Sequence, residues 1–143
     1  MRPARSSGDD SDDRPRSPGE PWLRAVSAVG ASFPLHCTAN GKALLAALPG
    51  DEALALLPAR LERLTPSTIV ARAALLDELA RIRCDGVAVD REEHTVGICA
   101  VGAVVHDTTG PAAAISVPVP TPRFAGNEAR YTAAVRAAAA AAT

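Results

Sequence analysis

Beyond Gly86 the apolar spacing of this chain drops from about 3.6 residues to 2, and helical spacing returns only near Asn127. Before the change, Leu75, Leu79 and Ile82 repeat at i, i+4 and i+7 with Leu76 beside them, which predicts an amphipathic helix over 72–85. Gly86 follows at a position where helices end in a left-handed residue. After it, Val87 and Val89 read as a short strand ending in Asp90, 97–106 as a second strand and 111–117 as a third. Residues 107–110 supply turn formers, so the last two strands form a hairpin. Three strands in succession without a helix between them predict an α+β fold with an antiparallel sheet and helices packed on it. Small apolar residues lie on both sides of the hairpin strands, so burial of both faces is expected. Pro118, Pro120 and Pro122 have no amide to donate and are expected to stop the ladder.

Residues 22–29 are apolar-rich with neither alternate face clearly polar, which predicts a partly buried strand. Residues 41–48 read as a helix with Leu44, Leu45 and Leu48 on one face, stopped by Pro49 and Gly50. Asp51 is the expected N-cap of a second short helix carrying Leu54, Leu56 and Leu57. Residues 64–70 form an extended connector. The alanine-rich end is a helix with Tyr131, Val135 and Ala138 as its inner edge, and Asp77 and Arg81 pair on the outer face of 72–85. Residues 1–21 are almost wholly Ser, Pro, Gly, Asp and Arg and cannot bury enough apolar surface to order themselves. They are expected to form a disordered tail, leaving 22–143 as one small domain.

The formal net charge of -1 argues against an electrostatic nucleic-acid binder. No apolar run is long enough to span a membrane, and no secretory leader is visible. Cys37, Cys84 and Cys99 fit neither a disulfide framework nor a zinc ribbon, so reduced thiols in the cytoplasm are expected. His36, Cys37, His94, Cys99 and His106 lack metal-ligand spacing, and neither a metal nor a cofactor is expected. Cys37, beside His36, is the one accessible-looking thiol; a small Cys/His enzyme is the most remote alternative. The run Asp90-Arg91-Glu92-Glu93-His94 reads either as a solvated loop or as the rim of a pocket, with Asp90 at a strand end. Thr38-Ala39-Asn40-Gly41-Lys42 opens a helix whose first amides lack partners and attract anions; a plain capped helix accounts for it equally. Lys42 is the only lysine beside fourteen arginines, read here as genome composition.

Several stretches resemble the effector-binding domain of the IclR family of bacterial transcription regulators. They are Pro34-Leu35-His36-Cys37-Thr38-Ala39-Asn40-Gly41-Lys42-Ala43-Leu44-Leu45-Ala46, Leu64-Thr65-Pro66-Ser67-Thr68-Ile69, Leu75-Leu76-Asp77-Glu78-Leu79 to Gly86, Val87-Ala88-Val89-Asp90-Arg91-Glu92-Glu93-His94-Thr95-Val96-Gly97, and Ala113-Ala114-Ile115-Ser116-Val117. They occur in the family's order and at its spacing, over about 22–143. The resemblance implies a GAF-like domain that is not an enzyme and cups a small organic or aromatic acid effector against a curved sheet. It assigns the effector site to Thr38, Ala39 and Asn40 at the helix opening, Asp90 at a strand end, and Ala100 and Ser116 on the following strands. A second hydroxyl of the family's last strand falls on Pro118, and Ala100 stands where some members have a cysteine. Both changes imply a less polar pocket. Val70-Ala71-Arg72 replaces an acidic helix cap, at a cost of about 1 kcal/mol.

Residues 1–21 resemble neither a winged helix-turn-helix nor the opening elements of the ligand domain. The chain is therefore expected to be a partial effector domain: a gene remnant, a mis-assigned start or an orphan sensor. DNA contact is expected only through a winged-helix domain absent from this chain, a homo-oligomer is expected from the sheet edge left open, and no membrane partner is expected. The alternative is a truncated dimerisation remnant that binds no ligand.

Overall fold

The change of period at Gly86 is the main joint of the fold. The computed structural model describes residues 19–142; residues 1–18, most of the expected tail, lie outside the described residues. Four helices come first: α1 Gly19–Gly30, α2 Ala39–Ala46, α3 Gly50–Ala55 and α4 Arg72–Asp85. Three strands follow, β1 Ala88–Arg91, β2 Ile98–Asp107 and β3 Gly110–Pro120, then α5 Thr121–Phe124 and α6 Glu128–Ala142. The strands form one antiparallel sheet in the order β1-β2-β3. Gly86 ends α4 at φ +80°, and Asp107 Oδ1 closes the hairpin turn by accepting from the Thr109 amide at 2.8 Å.

The strand expected over 22–29 is instead α1, which begins inside the stretch read as tail. A strand there needs a ladder partner, and the three strands pair only with one another. A helix satisfies its own amides. At helical spacing Trp22 and Val26 are both buried against α2, and the Trp22 indole donates to the Leu44 carbonyl at 3.2 Å. Pro49, not Asp51, is the N-cap of α3, and it makes no side-chain bond; Asp51 lies in the first turn. Arg81 pairs with Glu78 and Asp85 rather than with Asp77. Ala71 caps α4 with no side-chain hydrogen bond, as the missing acidic cap implies.

Each sheet face carries its own core. Ala88, Val104 and Ala114 join the helical layer of α1 to α4, with Leu45, Leu75 and Leu79 fully buried at its centre. Val87, Val89, Cys99, Val101 and Ala103 face Val135, Ala139 and Phe124. The buried alanine of α6 is Ala139, one residue beyond the expected Ala138. The expected burial of both hairpin strands holds for the centre of β2 only; β3 is largely exposed or half-buried. Pro118 and Pro120 do not end β3, which pairs through Pro120. The reason is its edge position. The Thr121 amide donates inward to the Gly97 carbonyl at 2.9 Å, so the two prolines sit at alternate positions where an amide would point away from β2.

Candidate functional site

The helix opening is built by Thr38. Its hydroxyl accepts from the Gly41 amide at 3.1 Å and donates to the Pro34 carbonyl at 2.9 Å. The Asn40 side chain also accepts from the Gly41 amide. The amides of Ala39 and Asn40 have no acceptor among the described residues. This opening lies directly on the sheet. A Cβ at Gly102 would fall 2.9 Å from the Ala39 carbonyl carbon and 3.1 Å from the Asn40 nitrogen, so only glycine admits the approach.

Register brings the strand residues to the same face. Asp90 pairs with Ala100 and Ala100 with Pro118; Ala88 pairs with Gly102 and Gly102 with Ser116. Side chains alternate across a strand, so Asp90, Ala100, Gly102 and Ser116 share the face on which the α2 opening sits. Cys99 faces the other way, into the α6 core. Ala100 is half-buried and Ser116 is exposed. Two clefts at the helical layer, among the described residues, lie elsewhere: one of about 490 Å³ beside Phe33, His36, Leu56 and Arg60, another of about 190 Å³ beside Ala46, Arg83 and His106.

Asp90 is not a free rim carboxylate. It is buried, and its Oδ1 accepts from the Glu93 amide at 2.7 Å. Burial pushes its carboxyl up, and the Glu93 charge adds to this; amide hydrogen bonds and Lys42 oppose without cancelling it. The turn that follows is held firmly. The Thr65 and Thr68 hydroxyls donate to the carbonyls of Glu92 (2.5 Å) and Glu93 (2.6 Å), and Glu92 is at φ 59°. The run 90–94 is therefore neither wholly a solvated loop nor an open rim: Asp90 and Glu93 are buried while Arg91 and His94 are exposed.

Lys42, read above as mere composition, is the central charge of the region. It is fully buried and donates to Glu93 Oε1 at 2.8 Å, Glu78 Oε2 at 2.9 Å and the Val89 carbonyl at 2.7 Å. Burial pushes the Glu78 carboxyl up, but Lys42 and Arg81 outweigh it and hold the group below the usual range. The sequence carried a signal for this cluster. One lysine among fourteen arginines marks a position where a compact ammonium with three diverging donors fits and a planar fork does not.

The accessible thiol is Cys84, not Cys37. Cys37 is buried and its pKa is pushed up to about 12, by desolvation first and then by Asp90 and Glu93. It stays a thiol at neutral pH and is no nucleophile. His36 is buried as well, its Nε2 2.8 Å from the Glu62 carbonyl.

A helix opening and a polar strand end thus meet on one face of an antiparallel sheet. The chain belongs to the family of bacterial transcriptional regulator IclR C-terminal domains, whose model matches residues 16–143. It is the effector-binding domain of an IclR-type regulator. The HTH-type transcriptional regulator Rv1719 of Mycobacterium tuberculosis is 63% identical over 115 residues, covering 80% of this chain and 44% of that protein. The Agobacterium tumefaciens repressor BlcR has a similar structure, with a TM-score of 0.71 and 28% identity over 77% of this chain and 46% of that one. So does the inducer-binding domain of the PobR transcription factor from Acinetobacter, solved as a double mutant in complex with 3-hydroxybenzoic acid. Its TM-score is 0.63, with 26% identity over 73% of this chain and 63% of that one. The chain thus spans less than half the length of Rv1719 and BlcR. These relatives are regulators, not enzymes. No helix among the described residues is long and apolar enough to cross a membrane.

Proposed function

We propose that this domain binds a small organic or aromatic acid beside the α2 opening, on the sheet face carrying Asp90, Ala100 and Ser116, in the cytoplasm and without catalysis. The observation that carries the reading is the close approach at Gly102, which sets the unpartnered Ala39 and Asn40 amides over that face. Free amides at a helix start attract a carboxylate. Asp90 repels one, so it takes a hydroxyl or a hydrated carbonyl of the same effector. The aromatic hydroxy acid in the PobR complex has this pairing of groups. Recognition of DNA belongs to a winged-helix domain, not to this effector module.

A thermal-shift screen of small acids, followed by calorimetry, tests the reading. A bound acid at 100 times its Kd stabilises by about 2.7 kcal/mol. Ser116→Ala is expected to keep the fold and to cost about 0.5–1.5 kcal/mol of binding. Equal binding by Ser116→Ala and Asp90→Ala puts the pocket elsewhere.

One observation favours a second reading, a dimerising module that binds no ligand. β3 is an edge strand of 11 residues without a single charged side chain, and charge is a common guard against edge pairing. Homo-oligomers are expected by size exclusion with light scattering; a monodisperse monomer removes this reading.

A further inference from the structure

We propose that Lys42 is a positioning residue of the effector site: its buried ammonium fixes the spacing between the α2 opening and the strand end that carries Asp90. The inference rests on the effector reading for what the site holds, but the geometry stands without a ligand. Lys42 lies two residues past Asn40, so its backbone belongs to the donor wall. Its Nζ reaches the acceptor wall twice. One bond goes to the Val89 carbonyl, directly before Asp90. The other goes to Glu93, whose second oxygen accepts from the Arg91 amide at 3.2 Å and whose own amide donates to Asp90. Its third donor takes Glu78 on α4, which Arg81 holds from outside. The cation is wholly buried, and all three of its donors are used.

A buried cation between two carboxylates is a poor stability device, since well-packed apolar residues often serve as well or better. What such a cluster supplies is a fixed geometry, because each donor must meet one acceptor. Here the acceptors are the parts that aim Asp90.

The test is amide exchange by NMR on the whole chain, with Gly41 reporting the donor wall and Glu93 the acceptor wall. Val135 and Ala139 are the reference amides, in the opposite core, whose own opening leaves the Lys42 contacts in place. In Lys42→Met, exchange at Gly41 and Glu93 is expected to rise at least tenfold more than at Val135 and Ala139. Glu93→Gln keeps an oxygen for the ammonium, and there the Gly41 amide is expected to stay within threefold of the parent. A uniform rise across both cores, or unchanged Gly41 and Glu93 amides, overturns the proposal. If Lys42→Met does not fold, Lys42→Arg is read in the same way, since a planar fork misaligns the same contacts. Titration with 3-hydroxybenzoate separates the two claims. Binding by the parent that Lys42→Met weakens tenfold supports both, and unchanged affinity overturns the positioning role. No binding by the parent counts against the effector reading, while the exchange data still decide Lys42.

Discussion

Gly41→Ala is expected to lower the stability of the domain by about 3 kcal/mol, which for a fold of this size lowers Tm by roughly 10–15 °C. Helix propensity alone predicts the opposite, since alanine is favoured over glycine inside a helix by about 1 kcal/mol. Sterics decide the sign. A Cβ at position 41 would lie 2.4 Å from Thr38 Oγ1, 2.6 Å from the Leu35 carbonyl oxygen and 2.7 Å from the Leu35 Cα. Two of these are backbone atoms and cannot rotate away. The segment before α2 must shift, and the Thr38 cap, worth about 1 kcal/mol, goes with it. Thermal melts by circular dichroism check this; a Gly41→Ala variant as stable as the parent rules out the tight 35–41 turn.

Lys42→Met is expected to cost about 3 kcal/mol at pH 7, because the buried Glu93 and the half-buried Glu78 both lose their cation. The pH dependence separates this from a simple packing defect. In the parent, the Glu78 carboxyl is held below its unfolded value. It therefore contributes stability above the ordinary Glu range, lost as pH falls through its folded value. Without the ammonium, burial acts on Glu78 against Arg81 alone, and protonation relieves the cost. The stability gap between parent and variant is thus expected to narrow as pH falls from 7 towards 4.5. Urea melts across that range measure it. A gap constant with pH means that lost packing, not unpaired charge, is the cause.

The two readings of Asp90 illustrate where sequence reasoning stops. Its place at a strand end follows from the Val87 and Val89 spacing. That its carboxylate is buried and spends one oxygen on the Glu93 amide depends on a turn held by Thr65 and Thr68, far away in sequence. Those contacts have no local signature. The same holds for Cys37: nothing in its neighbourhood in the chain marks it as buried, because Asp90 and Glu93 reach it through the tertiary fold.

Local periodicity and punctuation by themselves determined α4, its stop at Gly86, the three successive strands and the hairpin turn. Each of these has a spacing or punctuation signal legible within a few residues, and the order of strands then favours the antiparallel sheet. Resemblance supplied the family and a set of site positions that register assigns to one sheet face. Three matters were decided only by the tertiary structure. Residues 22–29 became a helix because no strand edge took them and α2 offered Trp22 and Val26 a surface. Pro118 and Pro120 stayed in β3 because an edge strand leaves alternate amides unpaired. Lys42 became the centre of a buried charge cluster because three acceptors, 36 to 51 residues away in sequence, converge on one ammonium inside the core. In each case the deciding quantity is what lies opposite a residue in space, and a single chain of letters carries that only where neighbours in space are also neighbours in sequence.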